Sequence, residues 1–197
     1  MELRFQEWRR QKGLTQADAA NALGVSQAYL SLLEAGKRPW TERLRGRLET
    51  SEAICDEKFS RDLAALGYPP FSHLKDGVAQ PSPDALLLAI LSKPDADARV
   101  VAGLPWLVAE HGSKMDFEWL VRQAKLRNLQ NRLGYILDIS RCIDSRCRTA
   151  VEELAQARLL REDTMCWDSM PLPTREWMRN NRSAEAVYWN VLTRMDS

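Results

Sequence analysis

The chain has little of what catalytic chemistry usually needs. It carries only two histidines, His73 and His111, and neither sits in a spacing that would ligate a metal or serve a nucleophile. A Gly-rich phosphate loop and a strand–turn–helix nucleophile elbow are both missing. These absences exclude the commonest hydrolase and nucleotide-binding signatures, so no enzyme, cofactor or metal is expected. The four cysteines, Cys55, Cys142, Cys147 and Cys166, are scattered. Without a second ligand pair at zinc-site spacing they read as buried or idle thiols of a cytoplasmic protein. No apolar run approaches the roughly 20 residues of a membrane span, and the N-terminus lacks a signal-peptide pattern. No membrane partner is expected. A surplus of one charge sign is missing as well: 28 Lys and Arg against 27 Asp and Glu leave a net charge of +1. Nucleic-acid binding cannot be argued from that balance and has to rest on local charge. Alternating strand patterns are absent throughout, which makes the chain all-α.

What is present begins at Leu14–Pro39, LTQADAANALGVSQAYLSLLEAGKRP. The pattern predicts two short helices joined by a tight turn. Thr15 is a natural N-cap, and Asp18 three residues later can answer it in a capping box. Ala19, Ala20 and Leu23 form a small apolar stripe, and Gly24 suits a left-handed C-cap. Val25 fills the corner. Ser26 caps a second helix whose inward residues are Leu30 and Leu33. At about 100° per residue, Gln27, Ala28, Ser31 and Leu32 fall on the opposite side. Gly36 ends this helix, and Lys37, Arg38 and Pro39 follow. Before the pair, Leu3–Lys12 reads as a helix that buries Phe5 and Trp8 and stops at Gly13.

LTQ at the opening, LGVS at the turn and LSLLEAGKRP at the exit, in one register, resemble the Cro and phage-repressor helix-turn-helix family over roughly Leu3–Leu48. The resemblance implies a five-helix DNA-binding domain whose second motif helix lies in the major groove of double-stranded DNA. It implies an ion pair between Arg9 and Glu34 that fixes the angle of that helix. It also implies a phosphate contact from Gln16, base-edge contacts from Gln27 and Ala28, and phosphate contacts from Lys37 and Arg38. Ser26, Tyr29 and Ser31 complete the expected DNA-facing set. Gln27 can offer a donor and an acceptor together, as adenine requires, and Ala28 can touch a thymine methyl. Leu32 departs from the family, which usually has a polar residue there: it either contacts a methyl or is covered by another part of the protein. Arg43, Arg45 and Arg47 are open between phosphate contact and a solvated helix face. Trp40 and Leu44 read as core.

Beyond this motif, Thr50–Leu66 stays helical, with Ala53, Ile54, Phe59, Leu63 and Leu66 along one side. Gly67–Pro83 then breaks the pattern with prolines and glycines. The expected organisation is therefore a DNA-binding domain at 1–66, a linker at 67–81 and a helical domain at 82–197. Tyr68, Phe71 and Leu74 suggest an ordered strap rather than a free tether. Ser82 and Pro83 read as a helix start before the dense run ALLLAIL. A helix through Ala109 kinked at Pro105 follows. Asp116 caps another, and two further helical stretches end in a proline-marked loop at Met170–Thr174. Thr174 and Ser183 are each expected to cap a short final helix. Lys125, Arg127 and Arg132 read equally well as a solvated helix face.

The C-terminal part therefore reads as a helical bundle for regulation or oligomerisation, and it holds five of the seven tryptophans. Its RLGY segment and terminal VYWNVLTRM faintly resemble abortive-infection antitoxin regulators. In those, a DNA-binding module is joined to a helical domain and represses its own operon beside a nucleotidyltransferase toxin. The combined expectation is a sequence-specific transcriptional repressor that binds a palindromic operator as a homodimer. The alternative is an autoregulating antitoxin whose C-terminal domain binds a toxin or other partner protein. Trp119, Leu126, Leu129, Tyr135, Trp177 and Trp189 are the expected apolar surface for that assembly.

Overall fold

The computed structural model describes residue 9 and residues 15–23, 25–39, 41, 56–74, 80–140 and 144–195. Expectations for the first helix other than Arg9, and for Gly24, Trp40, Arg43–Arg47, Cys55 and Cys142, lie outside these residues. The chain divides into two compact units, Met1–Lys58 and Phe59–Ser197.

In the first unit, helix α1 (Gln16–Leu23) packs against α2 (Gln27–Glu34). Both helices are short, so their ends carry much of their definition. The Asp18 amide donates to Thr15 Oγ1 at 3.2 Å, and the Thr15 amide donates to Asp18 Oδ2 at 3.3 Å. This reciprocal box satisfies amides that the first turn leaves unpaired. Ser26 is extended (φ −74°, ψ 150°) and accepts from the Tyr29 amide at 3.2 Å. At the other end Gly36 takes φ 68°. The Lys37 amide reaches back to the Leu32 carbonyl at 2.9 Å and the Gly36 amide to Leu33 at 3.1 Å. That is a Schellman closure, and it needs the left-handed residue that glycine supplies. Ala19, Ala20, Leu30 and Leu33 are buried between the helices.

The second unit opens within helix α3 (56–66), whose Phe59, Leu63, Ala64, Ala65 and Leu66 are buried. Composition alone places the domain boundary after Leu66. The units part between Lys58 and Phe59 instead, because Phe59–Leu74 is fastened to the bundle. A 3-10 turn, Pro69–Leu74, follows α3. Tyr68 stacks edge-on to Phe71 with ring centroids 5.4 Å apart, and lies 5.1 Å from Trp106. His111 Nε2 sits 3.0 Å from the Leu66 carbonyl. A Cβ on Gly103 would meet Tyr68 at 3.1 Å and Leu63 at 3.2 Å, so that glycine lets the strap lie close. Over residues 67–74, the described part of the expected strap, Phe71 is buried and Tyr68 packs on Trp106.

The bundle then runs α4 (Pro83–Leu91), α5 (Ala98–Ala102), α6 (Leu104–His111), α7 (Phe117–Arg127), α8 (Gln130–Ile139) and α9 (Ser145–Gln156). Strand β1 (Asp163–Thr164), α10 (Leu172–Asn180), α11 (Ala184–Tyr188) and β2 (Val191–Leu192) complete it. The local readings divide. Asp116 caps α7 through the Trp119 amide at 2.9 Å, and Ser183 caps α11 through Ala186 at 3.2 Å. Ser82 does not cap: its hydroxyl goes to Asp84, which itself takes the Ala85 amide at 2.9 Å. The kinked helix is two helices parted at Gly103, with Pro105 in the first turn of α6, where its missing N–H costs nothing. Thr174 lies inside α10, which starts earlier because Pro173 also suits a first turn. β1 and β2 pair in parallel, Asp163 opposite Val191 and Thr164 opposite Leu192. This short tie holds the C-terminal stretch to the loop after α9, and its two residues per strand leave no alternation to read.

Helix α8 is the axis of the unit. It packs against α6, α7, α9, α11 and both strands. All its residues except Asp138 are buried. Arg132 is therefore not part of a solvated face. Its guanidinium donates to the Leu91 carbonyl at 3.1 Å, to Asp163 at 2.8 Å and to Asp168 at 2.6 Å. Burial works against the charge, but Asp163 and Asp168 keep the group protonated. Asn131 donates to the Leu159 carbonyl at 3.0 Å and accepts from the Leu159 amide at 2.8 Å. These contacts staple the enclosed helix to α4 and the loop after α9, although Gln130 Oε1 and Arg132 Nε are buried without a hydrogen-bond partner among the described residues. Leu129, Tyr135 and Trp189, expected at an assembly surface, are core residues. The Trp189 ring lies over Gly134, and its indole N–H donates to Asp138 at 2.9 Å. Leu126 and Trp177 do face outward, and Trp119 is half-buried.

Candidate nucleic-acid interface

The first unit presents one helix face with nothing inward-facing on it. Leu30 and Leu33 are fully buried, which fixes the roll of α2. Gln27, Ala28, Ser31 and Leu32 consequently point out, and all four are exposed. Ser26 is exposed at the N-terminus of α2, and Tyr29 is half-buried on its flank. Lys37 and Arg38 follow the Gly36 closure, both exposed. Of the nine residues singled out in the sequence, eight thus lie on or beside α2. The outward face of that helix carries neither cation nor carboxylate. The positive charge sits just past its C-terminal end.

Gln16 is placed differently. It is half-buried, and its side-chain amide donates to Glu34 Oε2 at 2.7 Å. The other carboxylate oxygen accepts from Arg9 Nε at 2.6 Å. The Arg9 and Glu34 side chains are 17% and 4% exposed, so the ion pair implied by the family resemblance is made and largely enclosed. Glu34 thereby links three segments: the stretch before α1, the start of α1 and the end of α2. The family resemblance implies only a phosphate contact at Gln16, and nothing in the local sequence marks its bond to Glu34. A glutamine at the first position of α1 and a glutamate late in α2 come together only once the crossing of the two helices is known.

This arrangement can do one thing well. Two helices are locked at a fixed angle by Leu30, Leu33 and the Glu34 network. The second offers a polar amide, a hydroxyl and two apolar groups on one helix, an element that a major groove admits, with cations beside it. Residues 5–45 match the helix-turn-helix family model. The N-terminal segment is a helix-turn-helix of the Cro type. No curated protein and no solved structure matches the chain. The helix-turn-helix places the protein with DNA-binding transcriptional regulators, with α1 and α2 as the two helices of its motif. Among the described residues, no helix is long and apolar enough to cross a membrane.

Proposed function

We propose that the protein is a sequence-specific repressor that binds a palindromic operator as a homodimer. The observation that carries this reading is the exposed α2 face of Gln27, Ala28, Ser31 and Leu32, beside Lys37 and Arg38. In this reading the α2 residues meet base edges, and Lys37 and Arg38 meet phosphates with Ser26 and Tyr29 at the margin. Gln16 meets a phosphate through its backbone amide or the second N–H of its side-chain amide, since the first is committed to Glu34. One such unit reads few base pairs, and pairing two of them on successive major grooves supplies the rest. The second unit holds the dimer.

The test is binding to the DNA flanking the protein's own gene, followed by gel shift at several salt concentrations. Affinity should fall steeply with salt as phosphate contacts release counterions. Gln27→Ala should cost roughly 1–3 kcal/mol on the specific site and relax preference at one base position. Arg38→Ala should weaken all sequences about equally. If Gln27→Ala weakened specific and random DNA alike, the base-reading role would be wrong.

The second reading, an antitoxin whose helical unit binds a toxin or other partner protein, is favoured by apolar side chains left outward on that unit. Leu160 is 95% exposed and Leu172 76%. Light scattering separates the two: a chain that is monomeric both alone and on its operator has its assembly supplied by another protein.

A further inference from the structure

Four of the chain's six methionines line one cleft of the second unit. Met165, Met170, Met178 and Met195 surround a space of about 490 Å³ between α5, the loop after β1, α10 and the stretch after β2. Met170 and Met178 form its floor together with Leu192, all three buried. Trp167 stands at the rim, 38% exposed. Such a volume lies in the range of small-molecule sites, which are mostly apolar with a few placed polar groups. Methionine is the side chain best suited to a wall that must reshape around its occupant.

The polar group is Arg194. Its guanidinium lies over the exposed Trp177 ring, 5.5 Å from the centroid, at the edge of the cleft. Among the described residues no carboxylate pairs with it. Acids in the lining segments are engaged elsewhere: Asp97 holds Arg99 at 2.9 Å, Asp95 accepts the Ser169 amide at 2.9 Å, and Asp168 accepts from Arg132 at 2.6 Å. Cys166, also in the lining, is buried and keeps its proton. The cleft thus offers an apolar interior with a single positive charge at its mouth.

We propose that this cleft binds a small amphipathic anion, an apolar chain or ring bearing one carboxylate. The apolar part lies on the methionines and Trp167, and the carboxylate meets Arg194. A cation of the same shape is opposed by Arg194, and a neutral molecule forgoes the charge-assisted contact. The proposal does not depend on the DNA-binding reading.

The test uses the full chain and three ten-carbon probes, each below its micelle-forming concentration: decanoate, decanol and decyltrimethylammonium. Calorimetry should show decanoate saturating at one per chain, with a change in tryptophan fluorescence, and no saturation by the cation. Arg194→Gln should weaken decanoate roughly three- to tenfold and leave decanol unchanged. Ala98→Trp, at an exposed lining position opening α5, should block both with thermal unfolding unaltered. The proposal is overturned if decanoate does not saturate, if anion and cation bind equally, or if Arg194→Gln has no effect. It is also overturned if decanoate fails to bind while Ala98→Trp dissociates a dimer, since a second copy of the chain then fills the cleft.

Discussion

Gln16 and Glu34 stand 18 residues apart and are joined at 2.7 Å by a side-chain hydrogen bond across the two motif helices. With Arg9 on its other oxygen at 2.6 Å, Glu34 is the anchor that sets how α2 is presented. A carboxylate this enclosed stabilises only while its partners remain, and removing one member of a buried pair typically costs about 3–5 kcal/mol. Arg9 keeps some contact with water, so Glu34→Ala should fall at the low end, about 3 kcal/mol. Melting temperature and specific DNA affinity should drop together. Glu34→Gln, which retains an acceptor, should lose less of both. An unchanged melting temperature in Glu34→Ala would show that the network does not hold the motif.

Leu32 is 38% exposed on the outward face of α2, where its own unit does not cover it. Arginine or lysine paired to guanine is the commonest specific contact in the major groove, and the α2 face has neither. Gln27 suits adenine, and Ala28 and Leu32 suit the thymine C5-methyl. The half-site contacted by α2 is therefore expected to be A·T pairs read partly through methyl groups. Replacing thymine by uracil at single operator positions should weaken binding by roughly 1 kcal/mol per lost methyl contact. Leu32→Ala should abolish that difference at one of them. Specific, salt-dependent binding that ignores every such replacement would discard the methyl reading and leave the DNA-binding reading intact.

How legible these features were depended on how far apart their parts lie in the chain. Thr15 with Asp18, Ser26 with Tyr29, and Gly36 are all local, and caps obey spacing rules that a sequence displays directly. The outward set on α2 followed from helical periodicity once Leu30 and Leu33 were taken as core. Family resemblance supplied Arg9–Glu34, 25 residues apart. Nothing local supplied Gln16–Glu34. In the second unit the misreadings have two causes. Arg132 is charged, and a charged residue on a helix reads as solvated; Leu129, Tyr135 and Trp189 read as apolar surface left over for assembly but are core. Arg132, Tyr135 and Trp189 carry polar atoms matched from afar. Their partners, Asp163, the Met195 carbonyl and Asp138, come from other segments 31, 60 and 51 residues away. Burial of such groups is visible only when those segments are assembled.

Gly134 and Trp189 make a sharp test of the α8 axis. A Cβ at position 134 would lie 2.1 Å from the Trp189 ring, well inside contact distance. The ring cannot simply swing away, because it is fully buried and tied to Asp138. Overpacking of this kind typically costs about 1–3 kcal/mol, against a gain of up to about 1 kcal/mol for alanine over glycine in a helix. Gly134→Ala should therefore lower the melting temperature. Adding Trp189→Leu should reduce the penalty of the alanine relative to its penalty in the wild-type background. A melting temperature that rises in Gly134→Ala would mean that the ring is not held over the glycine.

Cys166 gives the pH dependence its alkaline limb. Its sulfur is 3.5 Å from the Ile90 carbonyl. Burial pushes the thiol up from 9.0 to about 11, although Arg132 nearby pulls the other way. A group whose folded pKa lies above its unfolded value stabilises the fold fully below the unfolded value. That stability is lost as pH rises through the folded one. Between about pH 9 and pH 11 the unfolded thiol has released its proton while the folded thiol has not, so unfolding becomes easier across that window. The loss should be on the order of 2 kcal/mol. Tyr68, also raised by burial, contributes in the same direction, so the measurement has to be a difference. Urea unfolding of wild type and Cys166→Ala at pH 7, 9, 10 and 11 provides it: the variant should lose less stability than the wild type above pH 9. Parallel stability curves for the two proteins over the whole range would show that Cys166 does not titrate differently on folding.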